Sequence, residues 1–132
     1  MEVKQEFPPN IREIMKKFDL HGFNPVFTYG DTLYNPTGGE ISPDLMAHEE
    51  THARQQSVYG VGDWWTRYLK DDTFRMTQEL EAYREQYKHA VENYPRAVRR
   101  HLLDTVASNL SSKLYGKIVK KKQAKELIEH YE

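Results

Sequence analysis

Ser42-Pro43-Asp44-Leu45-Met46-Ala47-His48-Glu49-Glu50-Thr51-His52 is the stretch on which the rest of the chain turns. Its first three residues make a strong helix start: a capping hydroxyl, a proline at the first helical position, and an acid in the first turn, where the helix dipole favours negative charge. The helix should run to about Val58, because Tyr59-Gly60-Val61-Gly62 stops it. His48 and His52 are four residues apart, so on a helix both imidazoles point to one side and can reach one tetrahedral ion. Glu49, one step round from His48, can sit beside water at that ion and accept its proton. Such an ion lowers the pKa of water towards ~7, which provides a nucleophile without any Ser or Cys.

Two histidines leave the site short of a third protein ligand. Downstream, Thr77-Gln78-Glu79-Leu80-Glu81-Ala82-Tyr83 offers one. It lies on a long helix that Asp71-Asp72-Thr73 starts and Tyr94-Pro95 ends. Joined by a compact connection, the two long helices can pack side by side and turn one carboxylate to the histidines. Glu79 is the first choice and Glu81 the competitor; Glu79, Glu81 and Glu85 also read as an ordinary acidic face. Ala82 lies one turn from Glu79, where a small side chain permits close helix approach. Tyr83 shares the Glu79 face and is placed to orient a ligand histidine.

Working outward, Pro8-Pro9-Asn10 precedes Ile11, Ile14, Met15 and Phe18 at helical spacing, which predicts a short amphipathic helix over 10–18. Val26-Phe27-Thr28-Tyr29 and Thr32-Leu33-Tyr34 read as two strands about a Gly30-Asp31 turn. Asp63 is expected to cap a short segment bearing Trp64, Trp65, Tyr68 and Leu69, with both tryptophans as hydrophobic anchors. Val98, Leu102, Leu103, Val106 and Leu110 fall on one side of a further helix over 96–109. Lys113, Lys117, Lys120, Lys121, Lys122 and Lys125 read as a solvated linker around Tyr115. A last helix carries Ala124, Leu127, Ile128 and Tyr131. The pattern is a mostly helical α+β fold, 1–132 forming a single domain, with its only sheet near the N-terminus.

Composition narrows the function. The 132 residues hold 19 Lys+Arg against 20 Asp+Glu, a formal charge of -1 that argues against nucleic acid as partner. The absence of cysteine excludes disulfide scaffolds, thiolate zinc fingers and cysteine nucleophiles. No apolar run approaches the ~18 residues of a membrane span, so no membrane partner is expected. Met1-Glu2-Val3-Lys4-Gln5-Glu6 lacks the basic start and apolar stretch of a signal peptide, and the cytoplasm is the expected compartment.

H-E-x-x-H over 48–52 followed by E-x-x-A over 79–82 resembles the gluzincin class of zinc metallopeptidases. The short length resembles the minimal single-domain members called minigluzincins. The resemblance spans roughly residues 26–90 and implies Zn2+ as cofactor, His48, His52 and Glu79 as its ligands, and Glu49 as general base acting on a peptide or protein substrate. It also implies a zincin-like domain whose small sheet lies over the active-site helix. An edge strand would pair with extended substrate; 26–34 and the stretch around Glu40-Ile41 are the candidates. In the E-x-x-A-Asp version, shared with ImmA/IrrE-type and HtpX-type peptidases, an Asp supports a ligand histidine; Tyr83 stands there in this chain.

Beyond the metal, an oxyanion donor is needed. Tyr59, Tyr83, Tyr87, His89 and His101 have the chemistry, and no spacing singles one out. Gln56, one turn beyond His52, is a further cleft candidate. By analogy with the minimal peptidases, Glu129, His130, Tyr131 and Glu132 could fold back over the open metal position and hold the enzyme latent. Two other readings stay open: an ImmA/IrrE-like regulatory protease cutting one partner protein, and a non-catalytic helical interaction protein with a remnant metal site.

Overall fold

The central helix α2 (Pro43–Tyr59) begins where its capping residues place it, with the Ser42 hydroxyl accepting from the Leu45 N–H. It ends at Gly60, whose φ of +87° suits glycine and lets the chain turn at once into α3 (Val61–Lys70). That turn, rather than Asp63, starts α3. Helix α4 (Asp72–Asn93) follows a single linking residue, Asp71, whose carboxylate accepts from the Phe74 N–H at 3.1 Å. Helices α5 (Arg96–Leu110) and α6 (Lys121–Glu129) complete the C-terminal half, with a 3-10 turn over Lys113–Tyr115 between them. These features come from a computed structural model, which describes residues 1–130.

The N-terminal part supplies α1 (Ile11–Lys17) and a three-stranded sheet. Strands β2 (Phe27–Tyr29) and β3 (Thr32–Tyr34) form the expected antiparallel hairpin, with Thr28 opposite Leu33. Gly30, at φ +64°, opens its two-residue turn. The unexpected member is β1 (Glu2–Lys4), which lies parallel to β3 and gives the order β1-β3-β2. Glu40 and Ile41 belong to no strand. Asn10 precedes α1 as expected, but its side chain makes no capping hydrogen bond. The architecture is therefore a mostly helical α+β fold with the sheet set against α2. Gln56 fastens the two: its Nε2 donates to the Thr28 carbonyl at 2.8 Å, and its Oε1 accepts from the Gly30 N–H at 2.7 Å.

Two apolar clusters flank α2 and α4. Ile14, Phe27, Trp64, Trp65 and Tyr68 form the N-terminal one; both tryptophans are anchors, as their buried rings show. Met76, Tyr83, Leu103, Val106, Leu110, Tyr115 and Ile128 lead the C-terminal one. Tyr115 is thus core, whereas the lysines around it, Lys113, Lys117, Lys120, Lys121 and Lys122, are exposed as a solvated linker requires. Arg75 joins the clusters from an almost fully buried position. Its guanidinium stacks over Phe18 and Tyr68, donates to the Tyr68 carbonyl at 2.7 Å, and reaches the Leu114 carbonyl at 2.9 Å. Lys121 and Lys125, from the same basic stretch, pair with Asp104. Among the described residues no helix is long and apolar enough to cross a membrane.

Candidate metal centre

His48, Glu49 and His52 all lie on the buried face of α2, and Glu79 faces them from α4. The separation along the chain closes because α2 packs most extensively against α4, where Ala82 is fully buried. Glu79 Oε1 lies 3.0 Å from His48 Nε2 and 2.8 Å from His52 Nε2, and the two Nε2 atoms are 3.1 Å apart. All three residues are buried, and together they form the one His/Asp/Glu group among the described residues with the spacing to hold a metal ion. Glu81 is not part of it: its carboxylate turns to the Gln55 amide at 3.0 Å.

The remaining polar atoms of the three are also engaged. His48 Nδ1 meets Gln86 Oε1 at 3.0 Å, and His52 Nδ1 meets Gln55 Oε1 at 2.8 Å. An amide oxygen only accepts, so both Nδ1 atoms carry a proton and each ring, when neutral, turns an Nε2 lone pair to Glu79. Glu79 Oε2 accepts from the Tyr68 hydroxyl at 2.5 Å and the Tyr115 hydroxyl at 3.2 Å. Burial and the Glu79 charge both raise the pKa of these two phenols, which keeps them donors. Two nitrogen lone pairs and a carboxylate oxygen therefore converge on one point, an arrangement that repels itself unless a cation, proton or metal, lies between them.

The electrostatics express the same demand. Burial alone would lower the His52 pKa, but the Glu79 carboxylate outweighs it and pushes the imidazole up to about 9. Burial by itself would raise the Glu79 carboxyl; the charge of His52 and hydrogen bonds from both imidazoles hold it well below the usual carboxylate range. Two imidazole nitrogens and one carboxylate oxygen make a donor set that suits a divalent transition metal, zinc among them. At zinc bond lengths of ~2.0–2.2 Å, tetrahedral ligands stand roughly 3.4 Å apart, so these donors need to spread by only a few tenths of an ångström. The residues present fit the metal.

Glu49 shares the cleft but stands outside the donor set. Burial raises its pKa, only partly offset by the histidines, and Thr28 Oγ1 approaches its Oε2 at 3.4 Å. A cleft of about 890 Å³ opens here, lined in part by residues 17–20 and 23–28 and by Asn109 and 112–115. His48, Glu49, His52 and Glu79 all line it, as do Tyr68 and Tyr115.

Several expected roles fall elsewhere. Tyr83 does not hydrogen-bond a histidine; its ring packs on His48 with centroids 4.7 Å apart, while its hydroxyl faces that of Tyr115. Gln86 fills the place at His48 instead. Of the proposed oxyanion donors, only Tyr83 lines the cleft; Tyr59 packs on Phe74, and His89 on Tyr94. Gln56 holds the sheet rather than the cleft. The Thr28 carbonyl on edge strand β2 is taken by Gln56 and by Trp65 Nε1 at 3.2 Å, so it is engaged within the protein. Glu129 and His130 do not line the cleft, and Tyr131 and Glu132 lie outside the described residues.

Gln86, Gln55, Tyr68 and Tyr115 are the site residues that sequence reasoning passed over. Gln86 was within reach of it, since it lies seven residues beyond Glu79 on the same helical face. No family model matches the chain, and neither do any curated protein or solved structure. What can be said of function therefore rests on a buried, cation-seeking pair of imidazoles and one carboxylate.

Proposed function

We propose that the chain is a zinc-dependent metallopeptidase. His48, His52 and Glu79 would hold the ion, and Glu49 would act as general base. The observation that carries this reading is the convergence of both Nε2 atoms and Glu79 Oε1 beside a separate buried carboxylate in an open cleft. Bound zinc supplies an acidified water and polarises the carbonyl under attack. Glu49 takes the proton from the attacking water and delivers it to the leaving amine. Its buried setting suits that work, because a carboxyl with a raised pKa holds a proton more readily than an exposed one. The wall from Phe23 to Phe27, apolar but for Asn24, would face the peptide, with orientation left to backbone contacts along the same segment.

The test is Glu49→Gln. The variant should keep its zinc and lose turnover by roughly 10²–10⁴-fold, the usual weight of a general base. Hydrolysis of a mixed peptide library at the wild-type rate would refute the base assignment. Zinc bound by the wild type with no cleavage of any library peptide would favour a regulatory protease for one partner protein. A chain that purifies folded and metal-free would favour the interaction protein.

A further inference from the structure

Neither ligand histidine is oriented by a carboxylate directly; each meets a neutral side-chain amide. An amide can present its oxygen or its nitrogen, so something must decide which end faces the ring. At His48 the decision is made by Asp44. Gln86 Nε2 donates to Asp44 Oδ2 at 2.8 Å, and the Tyr94 hydroxyl donates to Asp44 Oδ1 at 2.9 Å. A carboxylate accepts only, so the Gln86 nitrogen must point to Asp44 and its oxygen to His48 Nδ1. At His52 the same logic is built from other parts. Gln55 Nε2 donates to the Gln78 carbonyl and to Glu81 Oε1, each at 3.0 Å, leaving its oxygen for His52 Nδ1.

We propose that Gln86 and Gln55 are positioning residues that fix the ring tautomers of the two histidines, with Asp44 on one side and Glu81 with the Gln78 carbonyl on the other setting which end of each amide faces the ring. The proton stays on Nδ1 and Nε2 faces the centre, so the ring orientation that binds metal is in place before metal arrives. A neutral amide also keeps formal charge off the ring. The Asp44 charge acts one side chain further out, so the rings would donate less electron density to a held ion than carboxylate-supported rings do. This inference rests on the metal site, and it assigns Asp44 a role through Gln86 and not through a hydrogen bond to either histidine.

The experiment uses the full chain and Zn2+ alone, with affinity read by chelator competition. Gln86→Leu should bind zinc ~10–100-fold more weakly, the usual effect of losing the partner of a ligand histidine. The exchange variant, Asp44→Asn with Gln86→Glu, keeps the polarity of the relay. Its carboxylate at position 86 would accept from His48 Nδ1, and its amide nitrogen at position 44 would donate to that carboxylate. The amide oxygen at position 44 would still accept from Tyr94. This variant should bind zinc within roughly threefold of wild type. Zinc binding by Gln86→Leu at wild-type strength, or an exchange variant as weak as Gln86→Leu, would overturn the proposal. A second reading needs no variant: long-range proton–nitrogen correlation spectra of the zinc-loaded wild type should show both rings protonated at Nδ1. Metal at Nδ1 of either ring would equally overturn it. Because zinc binding is measured apart from hydrolysis, zinc held without cleavage removes the peptidase and leaves the relay. A wild type that takes up no zinc removes both.

Discussion

Helix α2 and the pair α5–α6 are both buried, but through opposite chemistries. Every buried residue of α2 is polar or charged: Asp44, His48, Glu49, Thr51, His52, Gln55 and Gln56. Those of α5 and α6 are Leu103, Val106, Ala107, Leu110, Ala124 and Ile128. Burying polar atoms costs free energy unless each finds a partner, and on α2 each of these side chains has one. The apolar pair has no such obligations and gains ~1.5–3 kcal/mol for each large side chain it withdraws from water. One helix carries the polar groups of the candidate metal centre and is held in place by its neighbours; the other two are held by apolar packing.

This contrast assigns different consequences to substitutions only a few residues' width apart in space. The largest effect is expected from His52→Ala, which should abolish stoichiometric zinc binding, read by elemental analysis after dialysis, while the helical circular dichroism persists. Retained zinc at wild-type level would mean that α2 is not the metal-bearing helix. Next comes Leu110→Ala, fully buried in the C-terminal cluster. It should cost about 2–5 kcal/mol of stability in urea unfolding and leave zinc affinity unchanged. A large loss of affinity with it would merge the two roles. The smallest is Tyr68→Phe, which removes one of two hydroxyls on Glu79 Oε2. It should weaken zinc about tenfold at a stability cost below that of Leu110→Ala. An unchanged affinity would show that Tyr115 alone suffices.

What the sequence disclosed follows the same division. Local signals were strong where a helix had to start: Ser42 and Asp71 both cap as expected, and the four-residue spacing put the histidines on one face. Glu79 over Glu81 needed the partner helix, because both lie on α4 and only packing decides which of them meets the rings. Gln55 and Gln86 carry no signature, since a glutamine facing a core looks like any surface amide until its acceptors are known. Strand β1 was invisible for a related reason. Glu2, Val3 and Lys4 make a short, largely exposed segment, and only pairing with β3, some thirty residues away, makes them a strand. Tyr115 looked solvated because a lysine stands two residues away on either side, and both of those lysines are exposed. Its burial depends on α4 and α5 lying where they do.

Arg75 gives the two clusters a shared fate. Its cationic head lies over rings of the N-terminal cluster and hydrogen-bonds the backbone beside Tyr115 in the other. If either cluster loosened alone, this cation would lose partners while still shielded from water, a penalty that falls on both halves. Heating should therefore produce a single cooperative melting transition, and the seam where Glu79 meets the imidazoles would come apart with the whole molecule.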